Sequence, residues 1–213
     1  MRRSGTFALL VALLLLSISA AGTASAASHS VACTKISKLP KLGAHNMAKP
    51  KVTLSPKKTY EITMQTNCGT FTIKLDQKQS PHTAASFFYL VQKGFFDKTI
   101  FHRIVPGFVI QGGDPTGTGT GGPGYLTVDT PPKSAAYTHG VVAMAKTQTQ
   151  PAGTSGSQFF IVTVPNAGLT PDYAIIGKVV KGLDVVDKIG KLGDANQQPT
   201  QIVEILKATA SNS

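Results

Sequence analysis

The chain has 213 residues, a formal net charge of +11 and 41% hydrophobic residues, a length that allows one domain with extensions. Its lysines are scattered and form no basic run with interleaved aromatic residues, which argues against a nucleic-acid-binding protein. The charge indicates solubility and a loose attraction to acidic polymers of a cell envelope, and no nucleic-acid partner is expected.

The first segment has the pattern of a secretory signal peptide, predicted over residues 1–26. Arginines occupy positions 2–3, and an apolar run follows over 7–18 that is too short to cross a bilayer comfortably. The Ala-Ser-Ala sequence at 24–26 fits a cleavage site, so the mature chain is expected to begin near Ala27. An uncleaved membrane anchor is the alternative. The mature protein is expected to be secreted or extracytoplasmic, at the cell envelope, without stable membrane insertion.

Export would place the two cysteines, Cys33 and Cys68, in an oxidising compartment. A single disulfide between them is the expected arrangement there, and it would close a loop of about 35 residues. Two free buried thiols are the alternative. Two cysteines so far apart, without paired histidines, do not indicate a metal site, and no metal is expected.

The mature chain divides into an arm and a globular domain. Residues 27–58 are rich in Lys, Pro, Ser and Ala with little apolar periodicity, which predicts an extended N-terminal arm. The domain is predicted over residues 59–208, followed by a short C-terminal tail at 209–213. It opens with alternating apolar residues at 60–66 and 70–76, which predict a β-hairpin.

Two helical patterns and six more strand patterns follow. A helix is predicted from Ser80, with proline at its first position, to a stop at Gly94, and a second, shorter helix at 183–189. Residues 112–140 are rich in glycine and predict a long irregular loop, a kind of segment that is usually functional in compact domains. The further strands are predicted at 99–105, 108–111, 141–145, 158–164, 174–179 and 202–207. This set of elements predicts a mainly β domain, a closed barrel with helices over its open ends.

Three kinds of catalytic or ligand site fit the sequence poorly. The glycine-rich run at 117–124 is not followed by the start of a helix, which disfavours a phosphate-binding loop. Ser155 and Ser157 do not occupy a Gly-x-Ser-x-Gly elbow, and His102 and His139 have no obvious acidic partner, which disfavours a hydrolase. The few acidic residues lie mostly near turns and do not indicate a tuned acid–base pair.

Two strand-like stretches place polar side chains among aromatic and aliphatic residues. FHRIVPGFVIQGGD at 101–114 carries Arg103 and Gln111, and GSQFFI at 156–161 carries Gln158. Because charged side chains are rarely buried without a partner, Arg103 either lies on an exposed outer face or lines an apolar pocket together with the glutamines. The local pattern alone leaves both readings open.

These two stretches, with GVVAMA at 140–145, resemble the signatures of the cyclophilin-type peptidyl-prolyl cis–trans isomerases. The resemblance covers residues 60–208 and does not include the arm. It implies an eight-stranded antiparallel β-barrel capped by two helices, with an active site in a groove on its outer surface. It also implies an enzyme that needs no cofactor and acts on proline-containing segments. Together with the predicted signal peptide, it makes segments of exported proteins the expected substrates, and the protein is expected to be a monomer.

The resemblance implies roles for individual residues. Arg103 matches the catalytic arginine, assisted by Gln111, and Gln111 and Gln158 match the residues that orient the substrate backbone. The other implied substrate-binding residues form the proline pocket, line the groove before it or lie beside the site, and they are Phe108, Val109, Phe160, Leu169, Ala145, Lys146, His102 and Tyr173.

The chain departs from the family pattern at three positions near this site. Lys146 replaces the usual asparagine, Gly168 stands where many eukaryotic members have tryptophan, and Tyr173 stands where many have histidine. These changes bear on cyclosporin sensitivity more than on isomerase activity, and they are typical of a bacterial exported member. The alternative function is a non-catalytic binding module or holdase for proline-containing or unfolded chains, which an arm folded over the groove would favour.

Overall fold

A computed structural model of the chain describes Met1 and residues 32–213. Apart from Met1, the predicted signal peptide lies outside the described residues, as do the first residues of the predicted arm. Among the residues described, no helix combines the length and the apolar character that crossing a bilayer requires.

Ten strands and two helices make up the domain. In chain order they are β1 (Tyr60–Thr66), β2 (Gly69–Leu75), α1 (Pro81–Gln92), β3 (Arg103–Val105), β4 (Val109–Gly112), β5 (Thr127–Val128), β6 (Val141–Met144), β7 (Thr154–Ser155), β8 (Phe159–Val162), β9 (Ile175–Lys181), α2 (Leu183–Gly190) and β10 (Ile205–Asn212). Eight of the strands form one antiparallel sheet in the order β10-β1-β2-β9-β6-β8-β4-β3, and β5 pairs with β7 separately.

The two edge strands of the large sheet meet through their neighbouring backbone. The N–H of Lys98 donates to the Ile205 carbonyl, and the N–H of Ile205 donates to the Thr99 carbonyl, both at 2.8 Å. The N–H of Phe101 donates to the Val203 carbonyl at 2.9 Å. These bonds join the segment before β3 to the start of β10. The predicted mainly β fold, an eight-stranded antiparallel barrel with two helices, is confirmed.

Alternation along the strands produces two separate apolar clusters. In β8, Phe159 packs in the core, whereas the next residue, Phe160, packs in a second cluster on the opposite face. Val142 and Ala143 in β6 divide in the same way. Successive strand residues point to opposite faces, so both faces of this part of the sheet are apolar. The core is covered by α1 and α2, and the second cluster lies on the outer face.

Helix α1 begins and ends where the sequence predicts. Pro81 occupies its first position, where the missing N–H has no intrahelical partner to lose. Gly94 follows the helix with a φ of 69°, a left-handed conformation that glycine adopts without a Cβ clash. The Asp129 carboxylate accepts a 2.6 Å hydrogen bond from the Thr83 N–H, which satisfies one of the free donors at the helix start.

Some predicted bounds differ from the structure. The strand predicted at 99–105 is regular only over its last three residues, because the preceding segment bonds across to β10. Strand β10 pairs with β1 as far as Asn212, so residues 209–212 of the predicted tail lie in the barrel sheet. The small and polar side chains of these residues give no strand pattern in the sequence, because the strand is defined by its pairing with the distant β1. The predicted irregular loop at 112–140 contains the short strand β5.

The described part of the arm, residues 32–58, has no helix or strand and lies against the barrel. The predicted disulfide is present and joins Cys33 to Cys68, in the turn between β1 and β2, with Cα atoms 4.0 Å apart. Beside it, the Thr34 N–H donates to the Asn67 carbonyl at 2.8 Å. At the other end, the Ser55 N–H donates to the Tyr60 hydroxyl at 2.9 Å.

Candidate active site

The register of three neighbouring strands places the predicted site residues side by side. Arg103 in β3 lies directly opposite Gln111 in β4, and Gln111 lies opposite Phe160 in β8. Residues directly opposite in an antiparallel pair have Cβ atoms about 4.5–5.5 Å apart. The strand pairing therefore brings a cation, an amide and an aromatic ring together on one surface.

Hydrogen bonds connect Arg103 to the two glutamines in series. Arg103 Nη1 donates to Gln111 Oε1, and Gln111 Nε2 donates to Gln158 Oε1, each at 3.1 Å. Gln158 Nε2 donates to the carbonyls of Gly119 and Gly121, each at 2.9 Å. The structure thus places these three predicted site residues next to one another, and the chain of bonds ends on the loop at 113–124, named here the glycine-rich loop.

The guanidinium of Arg103 is held by neutral groups. Besides Gln111, it donates from Nε to Gln197 Oε1 at 2.7 Å. No carboxylate of the described residues lies within 4.0 Å of it. Arginine has five N–H donors in a rigid fork, so two of them fix the orientation while others remain for a ligand. The positive charge is not neutralised by an ion pair within the described chain.

An apolar cluster adjoins these polar groups on the outer face of the sheet. Phe160 contacts the Tyr173 ring edge-on, with centroids 5.4 Å apart, and lies 6.3 Å from the Tyr137 ring. Six of the predicted substrate-binding residues belong to this cluster or pack against it, and they are Phe108, Val109, Ala145, Phe160, Leu169 and Tyr173. The structure thus brings these residues together, apart from the core.

A cavity of about 420 Å³ lies beside the glutamines and is lined by Gln111, Gln158, Ala145, Lys146 and part of the glycine-rich loop, among others. Residues 32–58 of the arm do not line it. A larger cavity of about 780 Å³ is lined by five exposed lysines but by none of the predicted site residues. Within the described residues, no group of three or more His, Cys, Asp or Glu is placed to hold a metal ion.

Lys146 is part of the cavity wall rather than a free cation in it. Its side chain is only 3% exposed, and its Nζ lies 2.6 Å from a carboxylate oxygen of Asp172. The same ammonium donates to the Gln150 carbonyl at 3.0 Å and lies 5.5 Å from the centre of the Tyr173 ring. The substitution of the usual asparagine therefore adds an ion pair between two loops beside the groove.

Asp114 organises the glycine-rich loop from inside. Its buried carboxylate accepts hydrogen bonds from the Thr116 N–H and hydroxyl at 2.7 Å, and from the N–H groups of Gly119 and Gly121 at 2.6 and 3.1 Å. Burial acts to raise the pKa of Asp114, but the hydrogen bonds outweigh it, and the pKa lies below its ordinary value. A side chain at Gly121 would collide with this carboxylate.

His102 lies beside the site but does not line the surfaces that could bind a substrate. Neither the apolar cluster nor the 420 Å³ cavity includes it, and neither of its buried ring nitrogens has a hydrogen-bond partner among the described residues. Burial lowers the pKa of His102, Asp114 acts to raise it, and Arg103 lowers it further. The lowered pKa favours the neutral form of the imidazole.

This burial predicts a pH dependence of stability. The unfolded chain binds a proton at His102 more readily than the folded chain, so the free energy of unfolding should fall as the pH drops below the ordinary pKa of 6.5. Urea unfolding measured about one unit above and one unit below that value should show a smaller loss for His102→Gln than for the wild type. Equal losses in the two proteins would contradict this reading of His102.

Two residues of the site were not predicted from the sequence. Gln197 lies in the turn after α2 with a φ of 65°, and its carbonyl accepts the Ile104 N–H at 3.0 Å. The Asp-Ala-Asn-Gln-Gln-Pro sequence has no feature that singles it out. The buried Tyr137 hydroxyl donates to the Tyr173 carbonyl at 2.7 Å and accepts its N–H at 2.9 Å. Tyr137 is one of two tyrosines, with Tyr125, in the long segment at 112–140, and no sequence feature distinguishes it from the other.

Comparison with known proteins identifies the family to which the chain is similar. The sequence model of the family described as "Cyclophilin type peptidyl-prolyl cis-trans isomerase/CLD" matches residues 61–210. A peptidyl-prolyl cis-trans isomerase of Arabidopsis thaliana is 38% identical over 152 residues, which cover 69% of this chain and 91% of that protein. A peptidyl-prolyl cis-trans isomerase of Schizosaccharomyces pombe is 37% identical, over 70% of this chain and 97% of that protein.

A solved structure supports the same relationship. The crystal structure of a cyclophilin type peptidyl-prolyl cis-trans isomerase from Cryptosporidium parvum superimposes with a TM-score of 0.66 and 31% sequence identity, covering 72% of this chain and 98% of that one. Both the sequence and the fold thus match over the barrel that carries Arg103, Gln111 and Phe160. The chain belongs to the cyclophilin-type peptidyl-prolyl cis–trans isomerase family.

Proposed function

We propose that this protein is a peptidyl-prolyl cis–trans isomerase that acts on proline-containing segments of exported proteins. The observation that carries the proposal is the placement of the Arg103 guanidinium, without a carboxylate partner among the described residues, beside the apolar cluster around Phe160. A cation next to a pocket of apolar side chains is suited to an apolar ring that carries one polar atom. A prolyl residue has this combination.

Arg103 is proposed to stabilise the twisted amide in the transition state. Rotation about an X–Pro bond has a barrier of about 18–20 kcal/mol because amide resonance must be broken. In the twisted state the prolyl nitrogen becomes pyramidal and its lone pair is localised, so an N–H donor aimed at it binds more strongly than in the planar state. No covalent bond is made or broken, and the reaction requires no nucleophile.

The neighbouring residues are proposed to hold the substrate while the bond turns. Phe160 and its cluster would bind the proline ring, and the cavity beside Gln111 and Gln158 would take the residues that precede it. The amides of these two glutamines are fixed at one end by Arg103 and at the other by the glycine-rich loop. Their preorganisation reduces the reorganisation needed during the reaction.

The activity is tested by a peptide isomerisation assay on the oxidised mature protein. We expect the protein to accelerate the cis-to-trans conversion of X–Pro peptides, a step that otherwise takes tens to hundreds of seconds. It should also accelerate the proline-limited refolding of an exported protein. Binding of such peptides without acceleration would reject the isomerase and point to the holdase function instead.

Export from a bacterial cell is the second part of the proposal. The pattern at 1–26 supports export, and the Cys33–Cys68 disulfide is of the kind that forms in oxidising compartments. Expression of the full chain in an exporting bacterium should yield a secreted or envelope protein that begins near Ala27, with a mass that shifts on reduction. Retention of residues 1–26 on the protein would contradict cleavage, and a cytoplasmic location would contradict export.

Gln197 is expected to act as a positioning residue for Arg103. Gln197→Ala removes the acceptor that fixes the guanidinium at Nε, and we expect kcat/KM to fall about tenfold, the effect of one hydrogen bond to a charged group. The matched control is Gln198→Ala, the next residue in the same turn, whose side chain forms no hydrogen bond with Arg103 among the described residues.

A double-mutant cycle separates positioning from a structural effect on the turn. In the Arg103→Ala background, Gln197→Ala should have little further effect on kcat/KM, because the group that it positions is already absent. Additive losses in the double variant would show that Gln197 does not act through Arg103. Kinetics and urea unfolding of the four proteins provide this comparison.

A further inference from the structure

The N-terminal arm contacts the glycine-rich loop directly. The Gly43 N–H donates to the Pro115 carbonyl at 2.9 Å, and the Met47 N–H donates to the Pro123 carbonyl at 2.8 Å. These two bonds lie near opposite ends of the loop. The arm therefore holds the loop at both of its ends through backbone groups.

Side chains of the arm occupy space that loop glycines leave open. A Cβ built on Gly117 would lie 2.6 Å from Leu42 Cδ1, and a Cβ built on Gly124 would lie 2.9 Å from Asn46 Oδ1. Both distances are shorter than real Cβ atoms show to a neighbouring heavy atom. The two glycines thus allow a close approach of the arm that no other residue would permit without a shift.

The part of the loop between these contacts carries the acceptors for Gln158. The carbonyls of Gly119 and Gly121 each accept from Gln158 Nε2, and Gln158 continues through Gln111 to Arg103. The loop has its own internal support from Asp114, but it lies at the surface with several glycines. A displacement of the loop would move the partner of Gln158 and reshape the cavity that the loop lines.

The arm depends on its attachment points for its own position. It has no helix or strand over residues 32–58, so its conformation is fixed by contacts with the barrel. The Cys33–Cys68 disulfide and the Thr34–Asn67 hydrogen bonds anchor its start. A cross-link that holds one end of a segment reduces the entropy lost when the rest of the segment docks.

We propose that residues 33–50 are a positioning segment for the active site, which holds the glycine-rich loop in the conformation that fixes Gln158, and that the Cys33–Cys68 disulfide is its anchor. The family match begins at residue 61, so this segment lies outside the matched region. The proposal rests on the isomerase function for its kinetic consequence. Reduction of the disulfide should loosen the segment and weaken substrate binding, which makes affinity sensitive to the redox state.

Two leucines of the arm provide a matched test in the full mature protein. Leu42→Ala removes the side chain that packs on Gly117, whereas Leu39→Ala removes an equal side chain that is 55% exposed. We expect Leu42→Ala to raise KM for an X–Pro peptide about fivefold with little change in kcat, and Leu39→Ala to leave both unchanged. Equal kinetics for the two variants, or a loss confined to kcat, would overturn the proposal.

Amide hydrogen exchange tests the loop independently of turnover. The N–H groups of Gly119 and Gly121 donate to Asp114 and should exchange faster in Leu42→Ala than in Leu39→Ala. If the wild type bound peptides without isomerising them, the proposed isomerase function would be rejected. Hydrogen exchange and peptide affinity would still test the positioning segment in that case. Unchanged exchange at both glycines would overturn the segment's role even in an active enzyme.

Reduction of the Cys33–Cys68 disulfide tests its role as the anchor of the positioning segment. The Cys33→Ser, Cys68→Ser double variant, and the wild type treated with reductant, should both show faster exchange at Gly119 and Gly121 and a higher KM. Reductant should have no effect on the double variant, which serves as the control for effects on the assay. An unchanged KM and unchanged exchange after reduction would overturn the role of the disulfide as the anchor.

Discussion

Replacing Arg103 with alanine is expected to lower kcat/KM about 10²- to 10³-fold, the effect of removing a preorganised donor from a developing charge. The guanidinium is held by Gln111 and Gln197, and no carboxylate of the described residues competes for it. In a twisted amide its free donors meet the localised lone pair of the prolyl nitrogen. The planar ground state offers a much weaker acceptor, so the loss should be mainly in kcat.

Stability should be little affected by this change. Arg103 is half-buried at the start of an edge strand, and its partners are neutral amides that water can satisfy. Surface substitutions away from buried networks usually change stability by about 0.5 kcal/mol or less, so the urea midpoint should stay close to that of the wild type. This separates a catalytic defect from unfolding.

Arg103→Lys is the informative second variant. Lysine keeps the positive charge but lacks the planar fork that reaches Gln111, Gln197 and a substrate at the same time. We expect activity between those of the wild type and Arg103→Ala in the peptide assay. Equal rates for the wild type and Arg103→Ala would remove Arg103 from the mechanism, whatever the behaviour of the lysine variant.

Local sequence patterns predicted the elements that depend on their own residues. Alternation predicted the β1–β2 hairpin, and Pro81 and Gly94 marked the ends of α1, because these signals arise from backbone and side-chain preferences within a few residues. Strand β10 beyond residue 207 was missed for the opposite reason. Its residues are small or polar, and only the pairing with β1 makes them a strand.

The same distinction explains which parts of the site could be predicted. Arg103, Gln111 and Gln158 lie in two motifs whose resemblance to a family is specific, and the strand register then places them together. Gln197 is far from them in sequence and reaches Arg103 through one side-chain hydrogen bond, so no local pattern could indicate it. The burial of Lys146 depends on Asp172, which belongs to a different loop, and the sequence alone did not show that pairing.

Replacing Phe160, with its neighbour Phe159 as the comparison, is the second test with a large expected effect. Phe160 is 5% exposed and packs in the outer cluster against Tyr173, whereas Phe159 is fully buried in the core against Phe87 and Phe101. Truncating either ring to alanine should lower the free energy of unfolding by about 3–5 kcal/mol. The two substitutions remove the same atoms from opposite faces of one strand.

Only one of the two should affect the reaction. Phe160→Ala removes a wall of the proposed proline pocket, and the loss of burial for an apolar ring is expected to lower kcat/KM roughly 10- to 100-fold, mainly through a higher KM. Phe159→Ala leaves the outer face in place, so its folded fraction should retain a nearly normal KM. Peptide kinetics and urea unfolding on the same samples give both quantities.

Leucine variants at the same positions allow the same comparison of KM with less risk that the protein unfolds. Phe159→Leu and Phe160→Leu keep most of the apolar volume and should cost less stability than the alanine changes. The difference in KM should persist in this milder pair, because leucine lacks the flat face that a proline ring packs against. If both substitutions raised KM equally, substrate binding would depend on the integrity of β8 as a whole, and the outer cluster would lose its assignment as the proline pocket.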